Sequence, residues 1–188
     1  MKNKILVIGS GAREHAFVRA LSRSPQEKEI YCLASNMNPG IAELSAEILI
    51  GNFNDSEFVA SYAKEAGATL AIVGPENPLA NGIADALWDT GVKVVGPKKD
   101  LAQLETSKAF TRDLLKEYDI PGGPKYQTFN SMNGVADFLN IFGENYVVKY
   151  DGLAGGKGVK VSGDHLHSHH EALSYCQELV DKGGKFVI

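Results

Sequence analysis

The sequence predicts an α/β fold, with a largely parallel sheet in its first half and a smaller α+β region in its second. Three observations lead there. Strand-like apolar runs recur at KILVIG, EIYCLA, AEILIG, TLAIVG and VKVVG, with helical patterns after the first, third and fourth and a loop-like stretch, Ser35 to Gly40, after the second. Past Gly96-Pro97 and the charged Lys98-Lys99-Asp100 the pattern changes, which puts the boundary near residues 97 to 104 and divides the chain into 1–103 and 104–188. Beyond it, a glycine-rich loop is flanked by alternating apolar runs, as in an antiparallel pair.

Taken in order, the elements have recognisable ends. Asn54 with Glu57 three residues later is a capping signature; Phe58, Val59, Tyr62 and Ala63 form the buried stripe, and Gly67 stops the helix. A further helix buries Ile83, Leu87 and Trp88 before Gly91. The second region starts with a helix over Ser107 to Tyr118, stopped by Pro121-Gly122-Gly123. YQTF then reads as a strand, Ser131 to Phe142 as a helix with Val135, Phe138, Leu139 and Phe142 inward, and YVVKY, GVKVS and KFVI as strands. KFVI runs to Ile188 without a turn or polar tail, which predicts a truncated chain.

Composition narrows the function classes. With 188 residues, 44% hydrophobic, 22% charged and a net charge of −4, the chain reads as ordinary globular material with no basic block for nucleic acid. The longest N-terminal apolar run, ILVI, is too short for a signal peptide or a membrane span, so a cytoplasmic protein is expected. Cys32 and Cys176 lie far apart in apolar patterns and read as core residues.

The densest chemistry lies in KYDGLAGGKGVKVS, Lys149 to Ser162. Gly152, Gly155, Gly156 and Gly158 permit backbone turns that aim N–H groups at an anion, and Lys149 and Lys157 add charge, so a polyphosphate is the expected ligand. Lys157 is followed by Gly158 and a strand, which excludes a Walker A loop and leaves a hairpin flap; a plain glycine-rich hairpin is the alternative. Gly9-Ser10-Gly11 follows a strand and precedes a helix, a turn that suits an anion or simply a tight connection. A dinucleotide is disfavoured there, because the third glycine of GxGxxG falls at Glu14 and the second strand ends in Ala34, Ser35 and Asn36 without a ribose-binding acid. Arg13 is placed to reach a phosphate or a carboxylate, whereas His15 reads as structural. In Gly74-Pro75-Glu76-Asn77-Pro78-Leu79, at a strand's carboxyl end, Glu76 is either an acceptor for sugar hydroxyls or an amine, or a helix cap. Lys108 opens a helix, where a lysine suits an incoming anion or stays on the surface. His165, His167, His169 and His170 resemble a metal cluster, but Ser168 with Glu171 starts a helix at His169 and no cysteine or further acid completes a set.

Together, VIGSGAREHA (7–16), IVGPENPLANGI (72–83), QLETSKAF (103–110) and VVKYDGLAGGKGV (147–159) resemble the phosphoribosylamine-glycine ligase family of the ATP-grasp superfamily over nearly the whole chain. The family usually has glycine at Ala12, alanine at Tyr150 and alanine at Gly155, and Tyr150 is the departure that bears on a local contact. The resemblance implies a Rossmann-like, pre-ATP-grasp domain followed by a partial ATP-grasp small lobe. It implies ATP-dependent joining of glycine to 5-phosphoribosylamine through a glycyl phosphate in purine biosynthesis. It assigns Lys108, Lys149, Asp151, Gly152, Gly155, Gly156, Lys157 and Gly158 to ATP, and Gly9, Ser10, Gly11, Arg13, Glu76 and Asn77 to the phosphoribosyl substrate. No residue acts as a nucleophile, Mg²⁺ ligands are expected beyond residue 188, the parent enzyme is expected to be a monomer with small-molecule partners only, and this chain alone is expected to be inactive. A sister carboxylate-amine ligase and a non-catalytic nucleotide-binding module are the competing readings.

Overall fold

A computed structural model describes residues 2–188. The chain forms two compact units, the first ending at Ala102 and the second running from Gln103 to Ile188.

The first unit contains β1 (Asn3–Ile8), α1 (Ala12–Ser22), β2 (Lys28–Ala34), α2 (Pro39–Ala42), β3 (Glu47–Ile50), α3 (Ser56–Ala66), β4 (Leu70–Val73), α4 (Glu76–Ala80), α5 (Ile83–Asp89) and β5 (Lys93–Val95); α6 (Lys99–Thr106) runs across the division. Its sheet has the order β3-β2-β1-β4-β5 with every pairing parallel, as expected from the alternation of strand and helix patterns. Side chains alternate across this sheet. Leu6, Ile8 and Leu33 face Val59, Tyr62, Ile83 and Leu87, whereas Val7, Ile30 and Cys32 face Val18 and Ile41 on the other side. The apolar strands are therefore covered on both faces, which is why they lack the polar alternation of a half-exposed sheet.

Several local expectations need correction. The cap of α3 is Asp55, whose Oδ1 accepts from the N–H groups of Glu57 and Phe58, both at 3.1 Å, while the Asn54 side chain pairs with Asn81 at 3.3 Å. Phe58 is 37% exposed, its ring lying over Gly51, and Trp88 is 42% exposed; both sit at the margins of stripes whose centres, Val59 and Leu87, are fully buried. The Ser35 to Gly40 stretch leads into the one-turn α2, capped by Asn38, whose Oδ1 accepts from Gly40 and Ile41. The charged segment after Gly96-Pro97 is itself helical, as α6.

The second unit contains α7 (Lys108–Glu117), β6 (Thr128–Phe129), α8 (Val135–Phe142), β7 (Val147–Tyr150), β8 (Val159–Val161), α9 (His169–Asp181) and β9 (Phe186–Val187). The helix expected from Ser131 begins only at Val135, because Gly134 takes a left-handed φ of 77° that ends the preceding turn. The sheet order is β6-β9-β7-β8, antiparallel throughout. One face of this sheet, with Val148 and Phe186, packs on Val135 and Leu139 of α8 and Ala172, Cys176 and Leu179 of α9. The opposite face presents Val147, Lys149, Val161 and Val187, the alternate residues of the same strands, to a pocket. Each unit holds one buried free cysteine, Cys32 and Cys176, and burial pushes both thiols up to about 12.

Candidate functional site

In the second unit, period-2 alternation on β7 puts Lys149 on the face away from the core, where it borders a cavity of about 390 Å³ with Lys108 and Arg112 of α7 and with Lys125. Lys108 is the first residue of α7 and Arg112 lies four residues on, so both project from one side of that helix. Val147, Val161, Val187, Tyr126 and Tyr146 supply apolar walls. Four cations and no Asp or Glu side chain line the cavity, a set that fits the phosphates of a nucleotide. Arg112 and Lys125 escape sequence reading because nothing local marks them; only the folded pocket brings them to Lys149.

The glycine loop joins β7 to β8. Tyr150 N–H donates to the Gly158 carbonyl at 2.8 Å, closing its base. Gly155 and Gly156 have φ of 54° and 80° in open space, and Lys157 is exposed, its N–H donating to Ala154 at 2.9 Å. Lys157 is not among the residues lining the cavity. The start of the loop is anchored elsewhere. The Asp151 side chain, only 5% exposed, accepts from Ser107 Oγ at 3.1 Å and from Ala109 N–H at 3.0 Å and lies 3.8 Å from Lys185 Nζ. Lys108 Nζ donates to the Gly152 carbonyl at 2.9 Å. A carboxylate at the N-terminus of α7 suits the helix dipole, so Asp151 ties the flap to the helix that carries Lys108 and Arg112.

Tyr150 fixes its surroundings. A β-carbon on Gly152 would come within 2.5 Å of Tyr150 Cε1, one on Gly158 within 2.9 Å of Tyr150 Cβ, and one on Gly184 within 2.9 Å of Tyr150 Cε2. Gly152→Ala is expected to destabilise the second unit by about 1–3 kcal/mol through overpacking, and most of that loss should vanish in a Tyr150→Ala background. Thermal unfolding of the four proteins in a double-mutant cycle checks this; strictly additive effects would refute the contact.

In the first unit, the β1–α1 turn and the start of α4 lie at the carboxyl ends of neighbouring strands. Arg13 Nη1 donates to the Gly74 carbonyl at 2.6 Å and lies 3.9 Å from Glu76 Oε2. Asn77 is the second residue of α4. Asn38, which the sequence did not single out, braces the turn through Nδ2, which donates to the Ser10 carbonyl at 3.0 Å. Ser10 Oγ meets Ser35 Oγ at 3.2 Å.

The histidines are engaged separately: His165 Nδ1 accepts from Val161 N–H at 3.4 Å, and the His169 ring lies tilted against Tyr146, centroids 5.5 Å apart, with Nε2 3.4 Å from the Gly143 carbonyl. Among the described residues no three His, Cys, Asp or Glu side chains converge as a metal set, and no helix is long and apolar enough to cross a membrane.

Comparison with known proteins covers both units. The family model for the phosphoribosylglycinamide synthetase N domain matches residues 3–105, and that for the phosphoribosylglycinamide synthetase ATP-grasp (A) domain matches residues 106–187. Phosphoribosylamine–glycine ligase of Methanosarcina barkeri is 45% identical over 180 residues, 96% of this chain and 41% of that protein. The chain thus spans about two fifths of the length of the curated relatives it matches. Among solved structures, phosphoribosylamine–glycine ligase from Thermotoga maritima superposes with a TM-score of 0.74 at 23% identity, over 98% of this chain and 42% of that one. An N5-carboxyaminoimidazole ribonucleotide synthetase in complex with ADP gives 0.76 at 14% identity, over 98% of this chain and 46% of that one, a likeness of fold alone.

Proposed function

Because the chain belongs to the phosphoribosylglycinamide synthetase family, we propose that its two units serve the ATP-dependent ligation of glycine to 5-phosphoribosylamine, giving glycinamide ribonucleotide, ADP and phosphate. The observation that carries this reading is the four-cation pocket beside a glycine-rich hairpin in a chain whose residues 3–187 match that family. ATP is the phosphoryl donor: glycine's carboxylate becomes an acyl phosphate, and the amine of phosphoribosylamine displaces phosphate from it.

The division of labour follows the two units. Residues 1–103 form the phosphoribosylamine-binding domain, with Gly9, Ser10 and Gly11 shaping the turn and Arg13, Glu76 and Asn77 at its rim. Residues 104–188 form part of an ATP-grasp domain in which Lys108 and Lys149, with Arg112 and Lys125, neutralise the nucleotide phosphates. Gly152, Gly155, Gly156, Lys157 and Gly158 form a flap that closes over those phosphates, and Asp151 holds its hinge. The pocket lining offers Mg²⁺ no Asp or Glu side chain, so no step is assigned to the ion through these residues.

The test is phosphate release by the protein that carries these units, with ATP, Mg²⁺, glycine and freshly generated phosphoribosylamine. Release should require both glycine and phosphoribosylamine; release indifferent to either one would refute the assignment. In the same protein Lys149→Ala should weaken ATP roughly tenfold or more by removing one charge-assisted contact. An unchanged KM for ATP would remove Lys149 from the site.

A further inference from the structure

Glu14 is buried, 4% exposed, and among the described residues no lysine or arginine is paired with it by an ion pair. It lies in the first turn of α1, where a carboxylate suits the positive end of the helix. Its Oε2 accepts from the Gly11 N–H at 2.6 Å. A β-carbon on Gly9 would come within 2.7 Å of its Cγ and Cδ, one on Gly11 within 3.0 Å of Oε2, and one on Gly74 would collide with Oε1. The carboxyl group therefore covers the three glycines that follow β1 and β4.

Those strands are neighbours, and their helices leave on opposite faces, Val18 of α1 packing on one and Leu79 and Ile83 on the other. This is the switch point where open parallel sheets bind ligands. In dinucleotide-binding folds the turn amides and helix N-terminus there receive a pyrophosphate. Here the protein's own carboxylate takes the Gly11 amide of that turn.

We propose that Glu14 is a specificity residue, which fills the anion seat of the β1–α1 turn and bars a diphosphate from it while admitting the neutral or cationic part of a sugar monophosphate. The proposal rests on reading this crevice as the phosphoribosyl site and deepens it by setting the ligand's direction. Hydroxyl or amine groups face the turn over Glu14, and the single phosphate points outward toward the guanidinium of Arg13, whose side chain is 60% exposed. Gly11 then contributes to recognition by letting Glu14 close over it, and its amide does not bind phosphate.

The test is an amide-resolved NMR titration of this chain with inorganic pyrophosphate and, separately, with ribose 5-phosphate, reading Gly9, Ser10, Gly11 and Gly74; the cationic pocket of the second unit reports through its own amides. Pyrophosphate should leave the turn amides of the unsubstituted chain unmoved. Glu14→Gln, which keeps the shape and an acceptor for Gly11, should tighten pyrophosphate at the turn by roughly tenfold or more, about 1.4 kcal/mol. Equal pyrophosphate affinity at the turn in both proteins overturns the proposal. So does micromolar pyrophosphate binding at the turn of the unsubstituted chain, a result that needs no variant to fold. The titration involves neither ATP nor glycine, so a failure of the ligase reading in the phosphate-release assay is a separate result.

Discussion

Phe186→Ala should destabilise the second unit by about 3–5 kcal/mol, the cost of deleting a fully buried aromatic ring and leaving a cavity. Phe186 is 0% exposed, stacks on Phe129 with ring centroids 5.5 Å apart, and stands in β9 between β6 and β7. Its loss strikes the centre of a four-stranded sheet whose strands are only two to four residues long. Such short strands owe their stability to side-chain packing more than to their own ladders. Hydrogen exchange should show the amides of β7 and β9 losing protection while those of β1 and β4 keep theirs. Unchanged protection in β7 and β9 would mean that the core of this unit lies elsewhere.

Asp151→Ala should cost about 2–3 kcal/mol, because a nearly buried carboxylate with two hydrogen-bond donors and a lysine nearby is removed and its donors are left without it. Its functional effect should exceed that of removing any one exposed lysine. Asp151 fixes the N-terminus of α7, from which Lys108 and Arg112 reach the pocket, and also fixes the first residue of the flap. Nucleotide affinity should fall more than roughly tenfold, and Asp151→Asn, which retains an acceptor, should recover part of both losses. Calorimetric unfolding together with nucleotide titration checks this; wild-type stability in Asp151→Ala would show that the anchor carries no strain-bearing role. The carboxylate's contribution is thus one of position, exerted through the elements it joins.

What the sequence reveals, and what it hides, follows from the range of each interaction. Ser107, Ser168 and Gly67 are readable as helix ends because a cap acts over three or four residues and leaves a local pattern. Asn54 and Asp55 adjoin and are chemically interchangeable as caps, so only the fold decides between them. Apolar period locates the centre of a helical stripe well, at Val59 or Leu87, and its edges poorly, at Phe58 or Trp88, where a residue's cover depends on a neighbouring element. The parallel first sheet and the glycine-rich hairpin are legible for the same reason: both are written as runs. The role of Asp151 is not, since its partner Ser107 lies 44 residues away. Arg112, Lys125 and Asn38 join their sites only through the fold, and the burial of Glu14 depends likewise on Gly74, which lies 60 residues away in the chain.

The two buried thiols give the molecule one internal reporter per unit. With pKa values raised to about 12 and side chains closed from water, neither Cys32 nor Cys176 presents a thiolate to an electrophile while its unit is intact. Alkylation of either one must wait for its surroundings to open, so its rate measures how often that unit breathes. One chain thus carries two clocks, one in the parallel-sheet unit and the other in the unit with the glycine-rich hairpin.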